Sequence, residues 1–399
     1  MGVLDGVKIV SLEHGNAAPA ATCYLADWGA DVIKIEPVIR DRGDGGGSKI
    51  ELGGVEVDPA VEFRDRNKRS LAVDLKKGAG RDILCQLLKK ADVFVTNIQQ
   101  DSVKRLGFDY DSLRQLNAGL IYAILTGYGT QGPDKDEPAT DRAAVWARTG
   151  AHYLMTEPGS VPPEHPYAMG DFTASVHVVA GVSAALFRRE KTGLGEELVF
   201  SLYHCGMWNI GVPVQWALSG VQRNRASARG GTSNPLHIRY LTKDQRWLAF
   251  QMSNPDLYWP VFCETIERPE LESDPRFHNA KARSENSAEL IRILDEVFAT
   301  RTLAEWNKLC RKNHLIFAPI QSLEEAITDP QALANDFFVD LAHPSGRMKV
   351  LTSPTKFRRN PASVRTPAPE LGQHTEEILL DLGYSREDIA GLKEQGVIA

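Results

Sequence analysis

The 399-residue sequence predicts an α/β protein, with a doubly wound, largely parallel sheet followed by a smaller α+β unit. Three observations lead there. Between Val7 and Thr126, short apolar runs alternate with stretches of amphipathic helical spacing, the pattern of successive β–α units. The chain is too long for one ordinary core, so more than one domain is expected. Near Arg223 the composition turns to Arg, Ser and Gly (Arg223, Arg225, Arg229, Gly230, Gly231), which marks a boundary.

Taken in order, Val7–Leu12 is the first strand, the run near Ala18–Asp27 a helix, and Val32–Glu36 the next strand. Ser70–Asp74 is a strand, and Gly80–Lys90 a helix whose closing lysines suit its C-terminal dipole. Strand Val93–Thr96, a helical stretch at Ser102–Leu106, a helix near Asp109–Leu116 and strand Leu120–Thr126 follow. Ligands of such sheets bind beyond the carboxyl ends of the strands. That singles out Glu13–Ala18, Asn97–Arg105 and Gly127–Asp141. The turn His14-Gly15-Asn16-Ala17-Ala18-Pro19 lacks the dinucleotide glycine fingerprint. Asp41–Lys49 is glycine-rich without phosphate-loop spacing, and reads as a mobile surface connection.

A loop with four prolines, Thr156–Pro166, then turns into an apolar helix running through Val178, Val182 and Leu186 to a stop near Gly193. Asp171 stands at that junction with two readings. As an N-cap, its carboxylate accepts a first-turn N–H. As a nucleophile, it faces open space, with Gly170 leaving room for a substrate carbonyl. Strand Glu197–Ser201 and an apolar helical run at Leu202–Leu218 come next. The smaller unit holds strands near Ile238–Thr242 and Trp247–Gln251, and helices near Leu257–Ile266, Ala288–Ala299 and Leu303–Asn313. A strand-like stretch at Met348–Thr352, a Pro-rich tail and a helical pair after His374 close the chain.

The net charge of −6 disfavours nucleic acid or an anionic membrane as partner. No uninterrupted apolar stretch approaches the ~20 residues that span a bilayer. The start runs directly into a strand without a secretory signal, which points to the cytoplasm. Cys23, Cys85, Cys205, Cys263 and Cys310 are scattered and the ten histidines dispersed. Free thiols in a reducing compartment and no metal site are expected.

Several segments carry a further signal in their order and spacing: Leu4–Val10, Asp27-Trp28-Gly29-Ala30-Asp31 into Glu36, Asn67–Lys76, Asn97 to Gly107, Gly127-Tyr128-Gly129, and Gly170-Asp171. Later ones are Asp274-Pro275-Arg276-Phe277, Trp306, Asp329-Pro330-Gln331 and Leu371–Thr375. Together they resemble the family III CoA-transferases, the group that includes formyl-CoA transferase and carnitine-linked CoA-transferases, along essentially the whole chain. The resemblance implies a Rossmann-like large domain made from both ends of the chain (1–200 and 319–399), a linker helix at 201–228 and a small α+β domain at 229–318. It also implies an interlocked-ring homodimer. The family's catalytic aspartate falls on Asp171, assisted by Asn16 and Gly170. Coenzyme A, as a substrate rather than a tightly bound cofactor, falls on Asn16, Ala17, Val73, Asp74, Leu75, Lys76, Asn97, Ile98, Gln99 and Arg105. Tyr128, Asp141, Trp146, Arg148 and Met169 are the expected acid pocket, with Trp146 as apolar wall and Arg148 as carboxylate clamp.

The implied activity moves CoA from an acyl-CoA to a carboxylic acid through acyl-aspartyl anhydride and aspartyl-CoA thioester. The acid is expected to be a 2-hydroxy, aryl, branched or unsaturated one. Three positions depart from the pattern: Asn16 replaces a common glutamine, Pro37 replaces an arginine of formyl-CoA transferase, and only Arg229-Gly230-Gly231 stands near that enzyme's glycine loop. Formate or oxalate is therefore disfavoured as acceptor. An acyl-CoA racemase is the first alternative, but Asp141 occupies the place of its histidine and His152 lies on the wrong side of that helix. A non-catalytic acyl-CoA-binding protein is the second, and Asp171 speaks against it.

Overall fold

A computed structural model describes residues 2–39, 49–221 and 228–399. Asp41–Ser48 of the glycine-rich stretch and the boundary residues Arg223 and Arg225 lie outside the described residues. The chain divides into two compact units. One comprises Met1–His152, Glu164–Gln222 and Gln331–Ala399, the other Tyr153–Pro163 and Arg223–Pro330.

The first unit is an α/β fold on a parallel sheet. Its strands are β1 (Lys8–Leu12), β2 (Asp31–Glu36), β5 (Lys68–Ala72), β6 (Val93–Thr96), β7 (Ile121–Thr126) and β8 (Glu197–Ser201), with a separate hairpin of β3 (Ile50–Leu52) and β4 (Val55–Val57). The sheet order is β5-β2-β1-β6-β7-β8, every pair parallel. Alternate side chains point to opposite faces. Ile9, Val93, Val95, Ile121 and Ala123 pack on one side with α1 (Ala17–Asp27) and the long helix Met169–Thr192. Val10, Phe94, Tyr122 and Ile124 pack on the other with helix Gly78–Lys90 and the C-terminal residues Ile378, Leu379, Val397 and Ile398.

Helix Met169–Thr192 is long and apolar enough to cross a bilayer on length and composition alone, although Asp171, Thr173, Ser175 and His177 interrupt its apolar run. Its hydropathy has a simpler cause, since Ala174, Val178, Val179, Val182 and Ala185 are buried against the sheet. The Leu202–Leu218 run is two helices, Leu202–Asn209 and Gly211–Leu218, parted at Ile210. The second unit is built on an antiparallel sheet of Arg239–Leu241, Trp247–Phe250 and Phe317–Pro319, packed on Trp259, Phe262, Phe298 and Trp306. Strands Phe317–Pro319, Ile50–Leu52 and Val55–Val57 are too short to give a periodic signal.

Charge is buried where β1, β2 and β5 meet the short helix α2 (Pro59–Asp65). Lys68 Nζ donates to Glu13 Oε1 at 2.8 Å, Asp65 Oδ1 at 2.9 Å and the Pro19 carbonyl at 2.9 Å. Lys34 Nζ reaches the other Asp65 oxygen at 2.8 Å. Burial alone would raise the Asp65 carboxyl, yet Lys68 and Lys34 hold it well below the usual range. Asp65→Asn leaves two buried ammonium groups without their shared anion. It is expected to destabilise the protein by about 3–5 kcal/mol, read as a fall in the urea unfolding midpoint at pH 7.

Candidate active site

Strand order reverses between β1 and β6, so the loops leaving their carboxyl ends diverge and open a crevice. A cavity of about 820 Å³ lies there. His14–Ala17 form one wall, Asn97–Gln100 and Ser102 another, and Gly127 with Lys135–Arg142 a third. Leu125, Thr126, His165, Tyr167, Ala168, Asp171 and Leu202 complete the lining. Asn97 ties the first two walls together, since its amide accepts from the His14 N–H at 3.0 Å and donates to the His14 carbonyl at 2.8 Å.

Asp171 is the third residue of its helix rather than the N-cap. Ala168 takes that place in the left-handed conformation, φ 55°, after the Pro-rich loop, and no side chain caps the helix. The half-buried Asp171 carboxylate instead accepts from Asn16 Nδ2 at 3.3 Å. Asn16 Oδ1 in turn accepts from Arg64 Nη1 at 3.0 Å. Asn16 occupies the N-cap of α1 without capping it, because its amide is engaged here.

Gly170 has a steric reason different from the expected one. A Cβ would stand 2.1 Å from Asp141 Oδ1 and 2.8 Å from Val145 Cγ1, so the space is filled by Asp141 and not left for substrate. Its N–H donates to Asp141 Oδ2 at 3.2 Å. Burial pushes the Asp171 carboxyl up to about 6, the charge of Asp141 pushes the same way, and the Asn16 hydrogen bond opposes them. Asp141 is likewise raised by burial, against the Gly170 N–H and the nearby His165 and Trp146.

The other expected residues divide. Asn16, Ala17, Asn97, Ile98, Gln99, Asp141 and Asp171 line the one cavity. Gly170 sits behind it, and Met169 is half-exposed outside it. Arg105 donates to the lining residue Ser102 at 2.9 Å. Val73, Asp74, Leu75 and Lys76 form a separate turn. Asp74 Oδ1 accepts from the Lys76 N–H at 2.9 Å, and Arg81 bonds the carbonyls of Leu75 and Lys76.

Trp146 and Arg148 do not line the cavity. Trp146 is stacked on His165 at 4.6 Å with rings 3° from parallel, and His152 stacks beyond it at 5.8 Å. The Arg148 guanidinium is engaged by Asp134 and lies 4.6 Å from the Tyr128 ring and 5.2 Å from that of Tyr203. The clamp expected of Arg148 has its charge already paired. Sequence reasoning missed Arg64, His165 and Tyr167. Proline-rich flanks were the one signal for the last two, and Arg64 gave none beyond its charge. Among the described residues no group of His, Cys, Asp and Glu is placed to hold a metal ion.

Residues 4–375 match the family model of CoA-transferase family III. The chain belongs to that family. It is 35% identical to (R)-2-hydroxy-4-methylpentanoate CoA-transferase of Clostridioides difficile, covering 99% of each chain. It is 30% identical to cinnamoyl-CoA:phenyllactate CoA-transferase of Clostridium sporogenes, over 98% of this chain and 96% of that one. Among solved structures, a CAIB/BAIF family protein from Brucella suis superposes with a TM-score of 0.84 at 26% identity, covering 96% of this chain and 99% of that one. The protein is therefore an enzyme of the family III CoA-transferase type, with CoA thioesters as substrates.

Gly170→Ala forces Asp141 and Val145 aside and is expected to cost about 1–3 kcal/mol of unfolding free energy. Gly391→Ala, in helix Arg386–Glu394 where a Cβ meets nothing within 4 Å, is the control and should not lower the denaturation midpoint.

Proposed function

We propose that Asp171 is the nucleophile of this transferase and that its acceptor is a 2-hydroxy, aryl, branched or unsaturated acid. One observation carries the first part. Asp171 is a half-buried carboxylate on the cavity wall, bonded to a neutral amide and pushed up to about 6. Such a group is ionised at neutral pH yet poorly solvated, which favours attack without a general base.

The Asp171 carboxylate attacks the donor thioester carbonyl, forming a mixed anhydride and releasing CoA thiolate. The thiolate attacks the aspartyl carbonyl, freeing the donor acid and leaving an aspartyl-CoA thioester. The acceptor carboxylate attacks that thioester and expels the thiolate, which then attacks the acceptor's acyl carbon and regenerates Asp171. No proton is gained or lost over the cycle. Asn16, Ala17 and Asn97–Gln99 would seat the thioester end of CoA on the cavity wall, with the Val73–Lys76 turn and Arg105 towards its phosphates. The acceptor class is supported by the names of the two relatives above and by the apolar Leu125 and Leu202 in the lining.

We also propose a cytoplasmic, interlocked homodimer. All five cysteines are free. Helix Gly211–Leu218 (GVPVQWAL) has no buried residue, and Trp208, Val212 and Leu218 are exposed nearby. A second copy is the cover such an apolar surface calls for. Light scattering should give twice the 44.0 kDa chain mass, with no folded monomer on dilution. A folded monomer overturns the dimer.

Asp171→Ala should abolish transfer while CoA still binds, and hydroxylamine should trap the aspartyl intermediate in the native enzyme alone. With a panel of acids, kcat/KM should fall as pH drops through about 6, because protonation removes the nucleophile. Asp141→Asn removes a neighbouring negative charge, so that acid limb should move to lower pH. Preference for formate or oxalate would refute the acceptor class. Deuterium exchange at the α-carbon without any acid acceptor would hand the site to racemisation.

A further inference from the structure

We infer that Arg64 is a positioning residue for the reaction at Asp171: it fixes which end of the Asn16 amide faces the carboxylate. An amide has a donor end and an acceptor end of nearly the same shape, and its direction is set by its neighbours. A guanidinium only donates and an ionised carboxylate only accepts. With Arg64 Nη1 3.0 Å from Asn16 Oδ1 and Asp171 Oδ2 3.3 Å from Asn16 Nδ2, one orientation satisfies both sides and the flipped one satisfies neither.

Arg64 is held for this task. It is 7% exposed. Its neighbour Asp65 is fixed by Lys34 and Lys68. On its other side, the Phe63 carbonyl accepts from Arg66 Nη1 at 3.2 Å and from Cys23 Sγ at 3.4 Å. The Phe63 ring packs edge-on against Phe172, the residue after Asp171, at 5.2 Å. The guanidinium therefore reaches Asn16 from a short helix anchored on both sides.

The inference rests on Asp171 as nucleophile. In two steps of that cycle, attack by thiolate and attack by the acceptor, negative charge develops on the oxygen of the Asp171 carbonyl. A donor kept aimed at that oxygen needs no reorganisation when the charge appears. Arg64 keeps the Asn16 N–H there whether Asp171 is a carboxylate, an anhydride or a thioester.

The test is a double-mutant cycle with Arg64→Met, Arg64→Lys, Asn16→Ala and Arg64→Met/Asn16→Ala, each checked for folding by thermal unfolding. Arg64→Met is expected to lower kcat by about 10- to 100-fold with little change in KM for the CoA donor. Its acid limb should move to higher pH, since the ionised carboxylate loses an assured donor. Arg64→Lys should recover part of the rate. The double variant should be no slower than Asn16→Ala alone, because Arg64 acts through that amide. Multiplying losses, or native kcat in Arg64→Met, would overturn the role. If Arg64→Met does not fold, Arg64→Lys with and without Asn16→Ala is read the same way. Activity in Asp171→Ala would bring down the nucleophile, whereas an inactive Asp171→Ala with multiplying Arg64 and Asn16 losses would remove only Arg64.

Discussion

Lys68 carries its ammonium into the protein with no exposed side-chain surface, and its partners come from three different pieces of the scaffold. Glu13 belongs to the loop after β1, Asp65 to the end of α2, and the Pro19 carbonyl to α1. A buried charge is tolerated only in good geometry with every remaining group satisfied. The network therefore fixes the distance between these pieces as firmly as it fixes the lysine. Thr22 Oγ1 completes Glu13 at 2.9 Å, and Glu36, which pairs with Lys34 at 3.5 Å, accepts from Ser70 Oγ at 2.5 Å. Asn16 lies three residues beyond Glu13 and Arg64 one before Asp65, so the hydrogen-bonded line to Asp171 inherits its spacing from this cluster.

The chemistry follows from what the cluster leaves outside itself. Lysines neutralise Asp65, while Asp171 and Asp141, facing each other across Gly170, are raised by burial. In the mechanism proposed above Asp65 holds and Asp171 reacts, and their opposite shifts fit that division. The small residue between Asp141 and Asp171 is what permits the second carboxylate to stand so near the first, and that nearness adds to the basicity of Asp171.

Much of this was legible in the sequence. The β–α alternation pointed to five of the six parallel strands to within a few residues, the sixth, Glu197–Ser201, was read as a strand without a place in the sheet, and the rule of the carboxyl ends pointed to the loops that line the cavity. What was hidden depends on partners far along the chain. The buried pairing of Asp65 and Lys68 went unread, since nothing local tells that Lys68 will meet Glu13, 55 residues away. The helix start near Asp171 was displaced because Ala168 adopts a left-handed turn that no residue type announces. Arg148 looked like an anion clamp until Asp134 and two tyrosines were found to occupy it.

The sheet unit is discontinuous, and one side of it, packed with helix Gly78–Lys90, is completed by Ile378, Leu379, Val397 and Ile398, with the Asp74 N–H donating to the Val397 carbonyl at 2.8 Å. On a translating ribosome these residues emerge after all the others of that side, helix Gly78–Lys90 included. The second unit has all of its residues in hand once Pro330 is made, and its own core contains none of later number. The unit that begins the sequence is thus the one that must wait. Its edge strand Lys68–Ala72 goes without the partners Gly372, His374 and Thr375 until they are made, which makes the nascent chain, rather than the finished enzyme, the state with most need of a chaperone.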